Sequence, residues 1–295
     1  MTTTDFIEER PTMAQVSVDF SGTTVFVAGG TSGINLGIAE GFAAAGARVA
    51  VMSRSKEKVD AAVTRLQALG AQATGEAADV RDPEATSSVL QHAHAAFGDI
   101  DVLVSGAAGN FPAAALDMSP SAFRSVVDID LLGSYHVLRA AYPLLRKPGA
   151  VVINVSAPQA FLPMPLQAHV CAAKAGVDMP TRVLAIEWGG DGIRVNAVVP
   201  GPIEGTEGMV RLAPTDEARE IVRATVPAAR WGTPRDVADV CLFLASPLAA
   251  YVTGAVVPAD GGWSLGGAIT AMSAIVAQLP KRPASTPAEP RGSAR

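Results

Sequence analysis

The sequence predicts a single α/β domain with a doubly wound parallel sheet. Short, wholly apolar runs alternate with segments whose apolar residues recur at helical spacing, and no shift in composition interrupts them before residue 264. A glycine-rich turn, Gly29-Gly30-Thr31-Ser32-Gly33, joins the first such run to the first helical pattern. With 295 residues and 49% hydrophobic content, the chain can bury a large core.

Each element follows from its local pattern. Residues 23–28 form an apolar strand, and 33–45 carry helical spacing that ends near Gly46. Residues 48–52 form a second strand, 56–69 a helix stopped by Gly70, and 73–78 a third strand. A helix over 83–97 leads to a fourth strand at 101–105. One long helix is expected over 121–145, then a fifth strand at 150–156 and a helix over 167–188. Residues 194–199 form a sixth strand, 235–244 a helix and 255–258 a short last strand. Residues 200–230 offer no strand and are expected to pass over the C-terminal edge of the sheet. The expected organisation is a loose polar arm at 1–19, the domain at 20–265 and a C-terminal extension at 266–295. Residues 266–279 can form a short helix. From residue 280 the Pro/Ala/Ser-rich KRPASTPAEPRGSAR is expected to be disordered.

Bulk properties exclude several function classes. The net charge of −5 argues against nucleic acid as a partner. No apolar run reaches the ~18 residues that suggest a membrane span, and MTTTDFIEER lacks the pattern of a secretory leader. Cys171 and Cys241 lie in apolar helical surroundings and read as core-filling thiols, compatible with a reducing compartment. No cluster of Cys and His offers metal-ligand spacing.

The glycine-rich turn has the chemistry of a phosphate cradle. Glycines let the backbone approach a pyrophosphate, while the helix N-terminus supplies amide donors and a favourable dipole. The second strand ends Val51-Met52-Ser53-Arg54. No carboxylate stands there to hold a ribose 2′-hydroxyl, whereas Arg54 can pair with a 2′-phosphate, so NADPH is the expected cofactor. Asp79, ending the third strand, suits either the adenine amine or a helix cap.

These residues resemble the short-chain dehydrogenase/reductase family, a Rossmann-fold family, over about residues 20–263. Further matches are Asn196-Ala197-Val198-Val199-Pro200-Gly201-Pro202, Arg235-Asp236-Val237-Ala238, Tyr251-Val252-Thr253-Gly254 and Asp260-Gly261-Gly262. One departure is Asn35, where the family's cradle has its third glycine; Gly37 follows closely. Within the family, the chain is most similar to the peroxisomal-type 2,4-dienoyl-CoA reductases. Ala107-Ala108-Gly109-Asn110-Phe111 and Gly201-Pro202-Ile203-Glu204-Gly205-Thr206-Glu207-Gly208 carry that likeness.

The resemblance implies specific roles. Lys174 would bind the nicotinamide ribose, but Val170 stands four residues earlier, where most members have a proton-donating tyrosine. The dienoyl-CoA group also lacks that tyrosine. Asp130, where most members have asparagine, would orient a proton-donating water jointly with Lys174. Positions two apart on a helix differ by roughly 200°, so Asp128 faces elsewhere. Asn110 would donate to the thioester oxygen, and Phe111 and Ser156 would contact substrate. Ala157 takes the place of the family's usual serine. Cofactor contacts are expected from Gly29, Thr31, Ser32, Gly33, Ile34, Arg54, Asp79 and Val80. Ala107, Ala108, Lys174, Pro200, Gly201, Ile203 and Thr206 complete that set. His169 neighbours the site without a pattern that assigns it a role. The implied activity is NADPH-dependent reduction of 2,4-dienoyl-CoA to 3-enoyl-CoA in the β-oxidation of unsaturated fatty acids, by a homo-oligomer (dimer or tetramer). Reduction of an enoyl-CoA, or a non-catalytic NADP(H)-binding sensor or scaffold, are the alternatives. Ser293-Ala294-Arg295 is a poor peroxisomal address, so a cytoplasmic location is expected.

Overall fold

The computed structural model describes residues 16–278; the disorder expected from residue 280 and most of the N-terminal arm lie outside them. Seven parallel strands form one sheet in the order β3-β2-β1-β4-β5-β6-β7. The strands are β1 Thr24–Ala28, β2 Arg48–Ser53, β3 Ala73–Ala77, β4 Val102–Ser105, β5 Val151–Val155, β6 Arg194–Pro200 and β7 Val256–Ala259.

Side-chain alternation along β1 divides the core into two layers. Val25 and Val27 face one side, Phe26 and Ala28 the other, and all four are fully buried. The first face is covered by α1 (Gly33–Ala44), α2 (Lys56–Ala68) and α9 (Pro234–Ala245), through Ile38, Phe42, Leu66, Val237 and Cys241. The second is covered by α3 (Pro83–Phe97), α5 (Gly133–Ala141) and α6 (Ala168–Glu187), through Leu90, Leu138 and Ala185. Each large apolar side chain buried in this way contributes roughly 1.5–3 kcal/mol. Both faces being covered explains why the inner strands β1, β2, β4, β5 and β6 read as largely apolar runs, whereas the edge strand β3 carries Thr74 and the exposed Glu76.

Gly37 has a different task from the one its place in the sequence suggested. A Cβ there would lie 2.3 Å from Pro234 Cβ, and one at Gly41 would lie 2.8 Å from Ala238 Cβ. The two glycines let α9 press against α1, so Gly37 belongs to helix packing and not to the glycine-rich turn.

The long helix expected over 121–145 is segmented. It runs as α4 (Pro120–Val126), a π-helical stretch Val127–Leu132, α5, and a final 3₁₀ turn Tyr142–Leu144. Apolar periodicity reports which face is buried but does not distinguish one hydrogen-bond register from another. The π-helical stretch carries Asp128 and Asp130, and the Ser134 hydroxyl donates to the Asp130 carbonyl at 2.6 Å.

The strandless excursion after β6 folds as α7 (Glu207–Leu212) and α8 (Asp216–Ala224). The C-terminal segment supports it: α10 (Gly267–Gln278) buries Ala268, Ala271 and Met272 with Trp263, Ala218 and Val222. Residues 267–278, which the sequence reading set apart in an extension, therefore pack on the domain. Strand order reverses between β1 and β4, which opens a crevice at the C-terminal ends of the strands.

Candidate active site

A cavity of about 420 Å³ fills that crevice. Its floor begins at the β1–α1 turn. Gly29 has φ +79°, and a Cβ there would come within 3.0 Å of the Ala107 backbone. Ser55, Asp82, Ser119, Thr215 and Thr233 each cap their helices with a side-chain oxygen, but Ser32 at the start of α1 does not. The first-turn amides of α1 thus face the cavity without a side-chain cap, as an anion site requires. Asn35 fills the place of the missing glycine. Its Nδ2 donates to the Gly106 carbonyl at 2.6 Å, tying the turn to the end of β4. α1 still begins at Gly33.

Arg54 is exposed at the rim and forms no salt bridge among the described residues. Lys58 lines the same part of the cavity, 3.6 Å from Glu207. The sequence reading missed Lys58; the cation-rich Ser53-Arg54-Ser55-Lys56-Glu57-Lys58 was the available signal. Asp79 does not cap a helix; Asp82 does. The Asp79 carboxylate accepts from the Arg81 guanidinium and its main-chain N–H, and the Arg81 contact holds its pKa below the ordinary carboxylate value.

The opposite end holds a buried acid–base pair. Lys174 and Asp130 are 5% and 1% exposed. Lys174 Nζ donates to the Val155 carbonyl at 2.9 Å and lies 3.5 Å from Asp130 Oδ2. Asp130 Oδ1 accepts from Gly109 N–H at 2.7 Å. Burial pushes the Asp130 pKa up, against the opposing pull of Lys174 and the Gly109 amide. Val170 lies in an apolar cluster with Val126, Ala173, Phe111 and Leu131. Asn110 Nδ2 approaches Gln167 Oε1 at 3.5 Å, and the Gln159 amide donates to the same oxygen at 3.0 Å.

Gly29, Thr31, Ser32, Gly33, Ile34, Arg54, Asp79, Val80, Ala107 and Ala108 line the cavity, as do Asn110, Asp130, Ser156, Lys174, Pro200, Gly201 and Thr206. Two expected residues do not. Ile203 is 1% exposed, and its side chain belongs to the core, where Gly232 leaves room for it. Phe111 packs against the His169 ring at 4.4 Å between centroids. Ser156 reaches the wall, but its hydroxyl donates to the buried Asp178 and is already engaged. Met209, Leu212 and Trp263 add an apolar wall that local sequence did not mark, because it forms only when the excursion folds back.

Comparison with known proteins adds relatives. The family model described as enoyl-(acyl carrier protein) reductase matches residues 28–264. The chain is 42% identical over 251 residues to the peroxisomal 2,4-dienoyl-CoA reductase of Arabidopsis thaliana, named as (3E)-enoyl-CoA-producing, covering 82% of this chain and 84% of that one. The protein of the same name from Rattus norvegicus is 43% identical over 239 residues, covering 80% and 82%. An NADPH-bound short chain oxidoreductase from Pseudomonas aeruginosa PAO1, described as containing an atypical catalytic center, superposes with a TM-score of 0.77 at 30% identity, covering 83% of this chain and 97% of that one.

Proposed function

The chain belongs to the short-chain dehydrogenase/reductase family, and on that premise we propose that it reduces 2,4-dienoyl-CoA to 3-enoyl-CoA with NADPH, an auxiliary step in the β-oxidation of unsaturated fatty acids. The observation that carries this is the buried Asp130–Lys174 pair beside Val170. A carbonyl reductase must protonate an oxygen, and valine has no proton to give. Reduction of a conjugated thioester needs a proton at carbon instead.

The residues fit NADPH. The uncapped start of α1 and the Gly29 turn suit its pyrophosphate, Arg54 and Lys58 its 2′-phosphate, and Lys174 its nicotinamide ribose. Bound there, NADPH would supply a hydride to the δ carbon of a dienoyl thioester, and the resulting charge would spread to the thioester oxygen. Asn110 would donate to that oxygen as charge develops. Asp130 and Lys174 would hold the water that protonates the α carbon. The wall of Met209, Leu212 and Trp263 suits an acyl chain.

Exposed Leu132, Tyr135, Met179, Val183 and Ile186 on adjoining helical segments support a homo-oligomer, dimer or tetramer. Two free cysteines suit a reducing compartment such as a cytoplasm. No helix among the described residues is long and apolar enough to cross a membrane.

The test is isotopic. With labelled NADPH and a 2,4-dienoyl-CoA, deuteride should appear at the δ carbon, and deuterium from heavy water at the α carbon. Deuteride at the β carbon would indicate an enoyl-CoA reductase, in keeping with the description of the matching family model. Tight NADPH binding without turnover of any acyl-CoA would indicate a sensor or scaffold.

A further inference from the structure

Five buried side-chain atoms without a hydrogen-bond partner among the described residues gather around one segment, Gly109-Asn110-Phe111: Asp130 Oδ2, Asn110 Oδ1, Gln167 Nε2 and both ring nitrogens of His169. The segment touches each residue in turn. Gly109 N–H holds Asp130 at 2.7 Å, the Asn110 amide meets Gln167 at 3.5 Å, and the Phe111 ring stacks obliquely on His169 at 4.4 Å. Unpartnered buried polar atoms are costly and rare, so a cluster of them needs a cause. These atoms include both donors and acceptors. That mixture matches water, which donates and accepts, better than it matches an anion.

His169 differs from the other three histidines. His136 is tied through Nδ1 to the Val80 carbonyl at 2.8 Å, His92 to Glu76 and His94 to Asp99. Such a bond normally locks one tautomer. His169 is completely buried and is held by its stacking on Phe111; the Phe111 main chain lies close enough to favour the protonated ring, yet neither ring nitrogen reaches hydrogen-bond geometry with a partner among the described residues.

We propose that His169 is a proton relay, which accepts a proton from water on one ring nitrogen while the other nitrogen passes its proton through water to Asp130. The proton given to the substrate α carbon is replaced in this way, one entering for each one leaving, with no change of oxidation state. The imidazole ends as its other tautomer, and exchange through water restores it. Burial holds the His169 pKa below the ordinary histidine value, so near neutral pH the ring carries the one N–H and one lone pair that a relay uses. His169 acts on substrate only through Asp130 and is in that sense a positioning residue. The inference rests on reading Asp130 as the proton holder in dienoyl-CoA reduction.

The discriminating variant is His169→Gln, which keeps a donor and an acceptor but cannot exchange tautomers. It should bind NADPH with unchanged affinity while kcat falls about tenfold or more, within the range of acid–base catalysis. The solvent isotope effect on kcat should grow and the effect of deuterated NADPH should shrink, because proton resupply becomes limiting. A variant with the kcat and isotope effects of the unaltered protein overturns the relay while leaving the reductase reading intact. Absence of dienoyl-CoA turnover by the unaltered protein overturns both. NMR of the unaltered protein, labelled at its histidine ring nitrogens, gives a second readout independent of activity and of any variant's folding. The relay requires His169 to exchange between tautomers, and a single locked tautomer overturns it.

Discussion

The Lys174 ammonium lies 3.5 Å from the Asp130 carboxylate, and both side chains are buried. Asp130→Asn should therefore lower kcat by roughly 10²–10⁴-fold while NADPH affinity survives. Lys174→Ala should lose both rate and NADPH affinity, since the proposed mechanism gives Lys174 both the water and the nicotinamide ribose. Stopped-flow turnover with fluorescence titration of NADPH separates the two. A fall in NADPH affinity with Asp130→Asn as large as with Lys174→Ala would contradict this division.

The same pair sets a pH dependence. Burial raises the Asp130 pKa, so the carboxyl keeps its proton to a higher pH than an exposed aspartate does. The rate should hold on the acid side and fall as pH rises through the raised Asp130 value. In the profile of kcat against pH, Asp130→Asn should abolish or displace that fall.

Simple ketones and 3-oxoacyl-CoAs should be poor substrates. Val170 is 3% exposed among apolar neighbours and offers no proton to a carbonyl oxygen. Vigorous 3-oxoacyl-CoA reduction by the purified protein would contradict the proton path through Asp130.

Arg54→Ala should raise the Michaelis constant for NADPH roughly tenfold and leave that for NADH nearly unchanged, since a charge-assisted contact to the 2′-phosphate is worth ~1.5–3 kcal/mol. Lys58 in the same part of the cavity should retain part of the preference. Equal losses with both cofactors would remove the phosphate from the account.

Gly37→Ala should destabilise the fold without touching the chemistry. Its Cβ would stand 2.3 Å from Pro234 Cβ, and overpacking of this kind costs about 1–3 kcal/mol. Thermal denaturation should show the loss, with NADPH affinity retained by the folded protein.

Asp236→Ala should cost about 1 kcal/mol near neutral pH, the scale of a lost cap, with the partly exposed ion pair discounted for screening. Asp236 binds the Arg230 guanidinium and accepts from Thr233 N–H in a capping box. The Arg230 contact first, and Thr233 next, hold its carboxyl well below the usual range. A depressed folded-state pKa gives stability that is present above the unfolded value and lost as pH falls toward the folded one. The gap in denaturant midpoint between Asp236→Ala and the unaltered protein should thus narrow in acid.

The seven strands and most helices were legible in the sequence, because burial on both sheet faces writes itself as apolar runs and helical spacing. The glycine-rich turn, Arg54, Asp130, Asn110 and Lys174 all line the cavity; local pattern marked the turn and Arg54, whereas the expected roles of Asp130, Asn110 and Lys174 came from the family resemblance. Local pattern carries no information about partners far along the chain. Gly109 and Asp130 are 21 residues apart, and Asn110 and Gln167 57 apart. The placing of β4 between β1 and β5 brings the segment after β4 against the helical segments that carry those partners. The π-helical register at Asp130, the hydroxyl of Ser156 turned to Asp178, Ile203 in the core and Gly37 against Pro234 were decided in the same way. Each depends on how closely two distant segments approach, and only tertiary packing sets that distance.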